Sequence, residues 1–72
     1  MSLLSALRHA SRFSLDPVFS LFHTSASGEF TTLFVTSDPD ALVIRFNSEV
    51  IRPETCGLEV RCDGVRVQFD HN

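Results

Sequence analysis

The sequence predicts a mainly β fold with an N-terminal helix, a small antiparallel β-barrel or sandwich of four to five strands. Three observations predict it. Two apolar/polar alternations flank Asp63-Gly64, the residue pair favoured in two-residue hairpin turns. Residues 30–35 and 41–46 are rich in β-branched, aromatic and aliphatic residues. Leu3, Leu4, Leu7, Ala10 and Phe13 recur at helical spacing.

Residues 3–13 read as a short amphipathic helix, with Ser2 available as N-cap. Arg8 and Arg12 lie one turn apart near its C-terminal end, where positive charge suits the helix dipole. Asp16-Pro17 marks a break. Residues 18–22 admit two readings: Asp as N-cap with Pro at the first helical position favours a helical turn, and the composition also suits a strand. The small polar residues 24–28 form a loop, which divides a helical arm and linker (1–28) from an antiparallel β body (29–72) within one compact domain.

In the body, residues 30–35 form the first strand. Ser37-Asp38-Pro39-Asp40 reads as a type I turn, with Pro39 at its second position. Residues 41–46 read as the next strand, with Leu42, Ile44 and Phe46 on one face. Residues 49–51 form a short extended piece, and 52–57 form a loop containing Pro53 and Gly57. The hairpin is the most specific signal. A two-residue turn pairs 62 with 65, 60 with 67 and 58 with 69, which places Leu58, Val60, Cys62, Val65, Val67 and Phe69 on one face. Arg61 and Arg66 then stand opposite each other on the polar face. Glu59 and solvent relieve that pair, or the two guanidinium groups clamp a carboxylate or phosphate of a partner.

A chain of 72 residues buries a small core, and disulfides, a metal or a second subunit are the usual supplements. Cys56 and Cys62 are separated by a predicted strand, too far apart for a disulfide, and free thiols fit a reducing compartment. The formal net charge of −3 speaks against a specific nucleic-acid binder. It is unevenly spread. Arg8 and Arg12 against Asp16 leave +1 in residues 1–28, and four Arg against eight acids leave −4 in residues 29–72. No apolar run is long enough for a membrane span. The first 15 residues lack acids and hold Arg8, Arg12 and several serines, so mitochondrial targeting is a minor alternative.

The sequence is that of an interaction protein rather than an enzyme. His9, His23 and His71 stand at no ligand spacing, and no paired-cysteine knuckle is present, so no metal or other cofactor is expected. Asp38 and Asp40 are explained by the turn they flank. There is no phosphate-binding loop, nucleophile elbow or dinucleotide fingerprint, and no small-molecule substrate is expected.

The segment SDPDALVIRFNSEVIRPETCGLEVRCDGVRVQF, residues 37–69, resembles the core of the small head–tail connector (neck) proteins of tailed bacteriophages. The shared pattern is an apolar strand (residues 41–46), a short segment ending in Val (Glu49-Val50), a loop glycine (Gly57) and a hairpin of the form L-x-V-x-x-D-G-x-x-V from Leu58 to Val67. The resemblance implies a virion assembly protein that forms rings between portal and tail, located in the virion or the host cytoplasm. Its partners would be identical subunits and neighbouring virion proteins. The candidate contact residues are Leu3, Leu4, Leu7, Phe13, Phe19, Phe22, Arg61 and Arg66, with edge strands and the N-terminal arm exchanged between copies. The alternative is a small monomeric regulator or inhibitor of one protein target, bound through an acidic face or a free strand edge.

Overall fold

The computed structural model describes residues 1–50 and 57–70. The elements follow the order α1 (Leu3–Ala10), β1 (Phe19–Thr24), β2 (Phe30–Thr36), α2 (Pro39–Val50), β3 (Leu58–Cys62) and β4 (Val65–Arg66). Among these residues the fold is mixed α/β, with two helices and one four-stranded antiparallel sheet of strand order β2-β1-β3-β4. The sheet is open. The expected barrel or sandwich does not form, because the chain uses residues 39–50 for a helix and the end strands β2 and β4 do not meet.

α1 begins where Ser2 caps it: the Ser2 hydroxyl accepts from the Ser5 amide at 3.2 Å. It ends three residues earlier than the apolar spacing suggests. Ser11 folds back on Leu7, its amide and hydroxyl both donating to the Leu7 carbonyl at 3.0 and 2.8 Å. Such local side-chain bonds compete with helix continuation. Phe13 therefore lies in the following turn, 87% exposed.

The main correction concerns residues 39–50. Asp38 is an N-cap: its carboxylate accepts from the Asp40 amide at 3.0 Å and its carbonyl from Leu42 at 3.2 Å. Pro39 occupies the first helical position, where its missing N–H costs nothing. From there Leu42, Phe46 and Glu49 are buried, with Val43 and Val50 packed beside them, which is the spacing of one helix face. Ile44, expected on the same face of a strand as Leu42 and Phe46, points out at 71% exposure. The i,i+4 pair Arg45–Glu49 at 2.9 Å adds support from the side. Residues 49 and 50, expected as extended, close the helix. The expectations for residues 51–56, including Cys56, and for His71 lie outside the described residues.

The ambiguous segment at residues 18–22 is strand, and it sits at the centre. β1 pairs with β2 on one side and β3 on the other, so β2 and β3 run parallel to each other with β1 between them. α2 makes the crossover and packs against β1 and β2. Phe19 and Leu21 of β1, Val60 and Cys62 of β3, Leu3, Ala6 and Leu7 of α1, Leu42 and Phe46 of α2 and Val67 form one buried cluster. The core thus runs across position 28, with residues 1–28 supplying α1 and the central strand.

The hairpin has the expected register, Cys62 opposite Val65 and Arg61 opposite Arg66, with the Val67 amide donating to the Val60 carbonyl at 2.8 Å. Asp63 (φ 52°) and Gly64 (φ 85°) both adopt the left-handed backbone that a type I′ turn needs. Asp63 has a second task, since its carboxylate accepts from the Val18 amide at 2.9 Å and its amide donates to the Val18 carbonyl at 2.8 Å. The turn thereby anchors the entry to β1. Val65, expected inside, is 70% exposed at the sheet margin. Beyond β4 the chain crosses to α2, where the Phe69 ring meets Phe46 edge-on at 5.4 Å between centroids. The Met1 ammonium and the Asp70 carboxylate close the two ends at 2.8 Å.

Candidate interaction surface

Strand pairing divides the side chains of the sheet between two faces. Phe19, Leu21, Val60 and Cys62 point at the helices. Ser20, Phe22 and Thr24 of β1, with their cross-strand partners Val35, Thr32 and Phe30 of β2, Arg61 and Glu59 of β3, and Arg66 of β4, point away. No helix among the described residues covers this second face. Phe30 is 51% and Val35 55% exposed on it, and Phe22 is half-buried.

The outward face has its own organisation. The Phe22 and Phe30 rings lie 5.1 Å apart, and the Arg61 guanidinium stacks over both, at 5.0 and 5.3 Å from their centroids. Arg61 Nε donates to Glu59 on the same strand. A planar cation over two aromatic faces gains from their negative quadrupoles and shields apolar area from water. Arg66 stands opposite, exposed and without an ion pair among the described residues. Glu59 and the two rings thus engage Arg61, while Arg66 stays exposed. A shallow cleft of about 350 Å³ opens beside this pair, lined by Leu58, Glu59, Val60, Arg66, Val67 and Phe69 among others.

No protein-family model, curated protein or solved structure matches the chain. Its function must therefore be read from this geometry.

The eight candidate contact residues separate into three groups. Leu3, Leu7 and Phe19 are buried within a single chain, and Leu4 is half-buried on α1. Phe13 is exposed in the turn after α1, with the Arg12 guanidinium 4.7 Å from its ring centroid, and Leu15 beside it is fully exposed. Phe22, Arg61 and Arg66 come together on the open face. Sequence reasoning missed Phe30 and Val35. Their signal was available in the lack of any charged residue from Phe30 to Thr36, a strand that forms one edge of the sheet.

Other reactive groups stand apart from this face. Cys62 is a buried free thiol, and burial, with the neighbouring Asp63 carboxylate, pushes its pKa above the usual thiol value. His23 Nε2 is buried without a hydrogen-bond partner among the described residues, on the covered face between Thr31 and Leu58. No cluster of three potential metal ligands occurs among the described residues, and no described helix is long and apolar enough to cross a membrane.

Proposed function

We propose that this chain is a non-catalytic assembly protein that binds other copies of itself through the uncovered side of its sheet. One observation carries the reading. Among the described residues the sheet packs on one face only, and its other face and its β2 edge present Phe22, Phe30 and Val35 together with unpaired backbone. Apolar side chains gathered on an exposed sheet, rimmed by Arg66 and threonines, are the ordinary composition of a protein–protein contact. Leu3 and Leu7 are buried in the core of the single chain, so the proposed contact is drawn without α1.

In its most specific form the reading is a subunit of a virion neck, drawn from the hairpin between Leu58 and Val67. Helix α2 replaces the strand that supplied the rest of that resemblance, so the hairpin alone supports this form. The same edge would also serve a small regulator that captures an extended segment of one target.

Light scattering of the purified chain from low micromolar to near-millimolar concentration tests the proposal. A discrete homo-oligomer, or concentration-dependent growth toward one, is expected. A mass of 8.0 kDa throughout would overturn self-assembly and transfer the free edge to a foreign partner.

A further inference from the structure

We infer that β2 is a self-pairing edge: two copies join antiparallel along it, with Phe30 opposite Val35 of the second copy and Thr31 opposite its Phe34. This inference rests on the self-assembly reading and names the contact.

The argument starts from the backbone. β1 and β3 have strands on both sides, and β4 has only two residues, so β2 is the one long strand with an unpaired edge among the described residues. What saturates a strand edge is another extended strand. Proteins guard such edges with Lys, Pro, inward charges or bulges. β2, FTTLFVT, carries none of the charged or proline guards. Its one irregularity is a bulge, where Leu21 pairs with Phe34 and Phe22 with Thr32, leaving Leu33 as the extra residue.

That bulge selects the register. Phe30 and Val35 pair with Thr24 and Ser20, an even step apart on a regular strand. They therefore share a face and a hydrogen-bonding phase, although an odd step separates them along β2. Thr31 and Phe34, opposite His23 and Leu21, match in the same way. Antiparallel pairing about a two-fold axis joins residues of equal face and phase. A two-fold centred on the bulge satisfies this on both of its sides, whereas one centred on Thr31 or on Val35 satisfies it on one side only. The bulge-centred register places an aromatic residue against a β-branched one twice on the open face. Glu29 then falls opposite Thr36, so no like charges meet. The contact is isologous and closes at two copies.

The test uses the intact chain with Cys56→Ser as background. Phe30→Cys and Val35→Cys chains are made separately and mixed under mild oxidation. Opposed Cα atoms of an antiparallel pair lie about 5.5 Å apart, within disulfide reach. Two copies of Cys at position 30 would be about 13 Å apart along the strands and out of reach. Cross-linking in the mixture is expected to exceed that of either chain alone at least about tenfold. A second measurement compares Phe30→Lys/Val35→Glu with Phe30→Glu/Val35→Glu, two variants that both lose the Phe30 ring and the Val35 side chain; unfolding of each is followed alongside, because position 30 lies beside Arg61 of its own chain. Sedimentation should show the like-charged variant dimerising about tenfold more weakly. A wild-type oligomer with equal affinities in both variants, or with no preferential 30–35 cross-link, would overturn the inference and leave self-assembly standing. A wild-type monomer at every concentration would overturn both.

Discussion

Leu7→Ala separates a helix that belongs to the core from one that serves as an arm. Leu7 is wholly inaccessible to solvent and packs in the same cluster as Leu42, Phe19 and Val60. Truncation removes three carbons, worth about 2.4 kcal/mol in transfer alone. The cavity left among side chains that relax only partly brings the total to about 3–5 kcal/mol. A domain of this size has about 4–10 kcal/mol in all, so the variant loses a third or more of its stability. With a urea slope of about 1–1.5 kcal/mol per molar, the midpoint should fall by about 2 M or more. Leu15→Ala, at a fully exposed position, should change stability by no more than about 0.5 kcal/mol. The assay is urea unfolding followed by far-ultraviolet circular dichroism at two protein concentrations tenfold apart. The cost of Leu7→Ala should be the same at both, because the contact is intramolecular. An unchanged midpoint, or a cost that vanishes on dilution, would refute the placement of α1 in the core of a single chain.

Four further outcomes are expected. Phe46→Ala, which opens the core beneath Phe69, should cost about 3–5 kcal/mol, whereas Ile44→Ala on the outer face of α2 should be neutral within about 0.5 kcal/mol; equal costs by thermal melting would contradict the helical face. Asp63→Ala should cost about 1–2 kcal/mol through its lost bond to Val18 and its left-handed backbone, and Asp63→Asn should recover most of it. Cys62 should resist iodoacetamide at neutral pH in the folded protein and react once unfolded, since its thiol is buried and its pKa raised; rapid alkylation of native Cys62, read by peptide mass, would contradict its burial. The hydrogen bond and charge of the N-terminal ammonium hold the Asp70 carboxyl below the usual range. Its small stabilisation is therefore present at neutral pH and lost as pH falls through that lowered value. A carboxyl NMR titration should show the depression, and high salt should shrink it.

The hairpin was legible because two alternations and a turn pair agree in register, and each constrains the other. The α1 stripe was legible for the same reason: Ser2, the apolar spacing and the late positive charges all favour a helix. Residues 41–46 misled because ALVIRF carries only about one and a half helical turns. In so short a window, Leu42, Ile44 and Phe46 satisfy a strand period while Leu42, Val43 and Phe46 satisfy a helical one. The deciding signal lay just before them. Asp38-Pro39 is an N-cap followed by a first-turn proline, and the apolar residues continue at helical spacing to Val50. Asp16-Pro17 offers the same dipeptide but is followed by a run that ends at Thr24, too short to bury a helix face. A cap signal therefore means helix only when about three turns of matching periodicity follow it. The open face was only half legible. The Arg61/Arg66 opposition followed from the hairpin, but the engagement of Arg61 by Phe22 and Phe30 depends on β1 lying between β2 and β3, which no local pattern encodes.

That strand order also explains why the outward side is the place to look for function. Because β1 is central and β2 and β3 flank it, one crossover helix suffices to cover the inner face, and α1 fills the remaining space beside it. The chain contains no further described helix with which to cover the outer face. Arg61 does part of that work, its guanidinium lying over Phe22 and Phe30 while Glu59 holds its Nε. Its reach ends at these rings. Among the described residues, Val35 at the far end of β2 and the β2 backbone stay open. Under the proposed pairing a second copy would supply an extended strand of the same length, with Phe30 placed to meet that valine. Binding of this kind adds stability by mass action. For a domain whose described core is assembled from ten side chains, pairing along β2 would join its assembly to the completion of its fold.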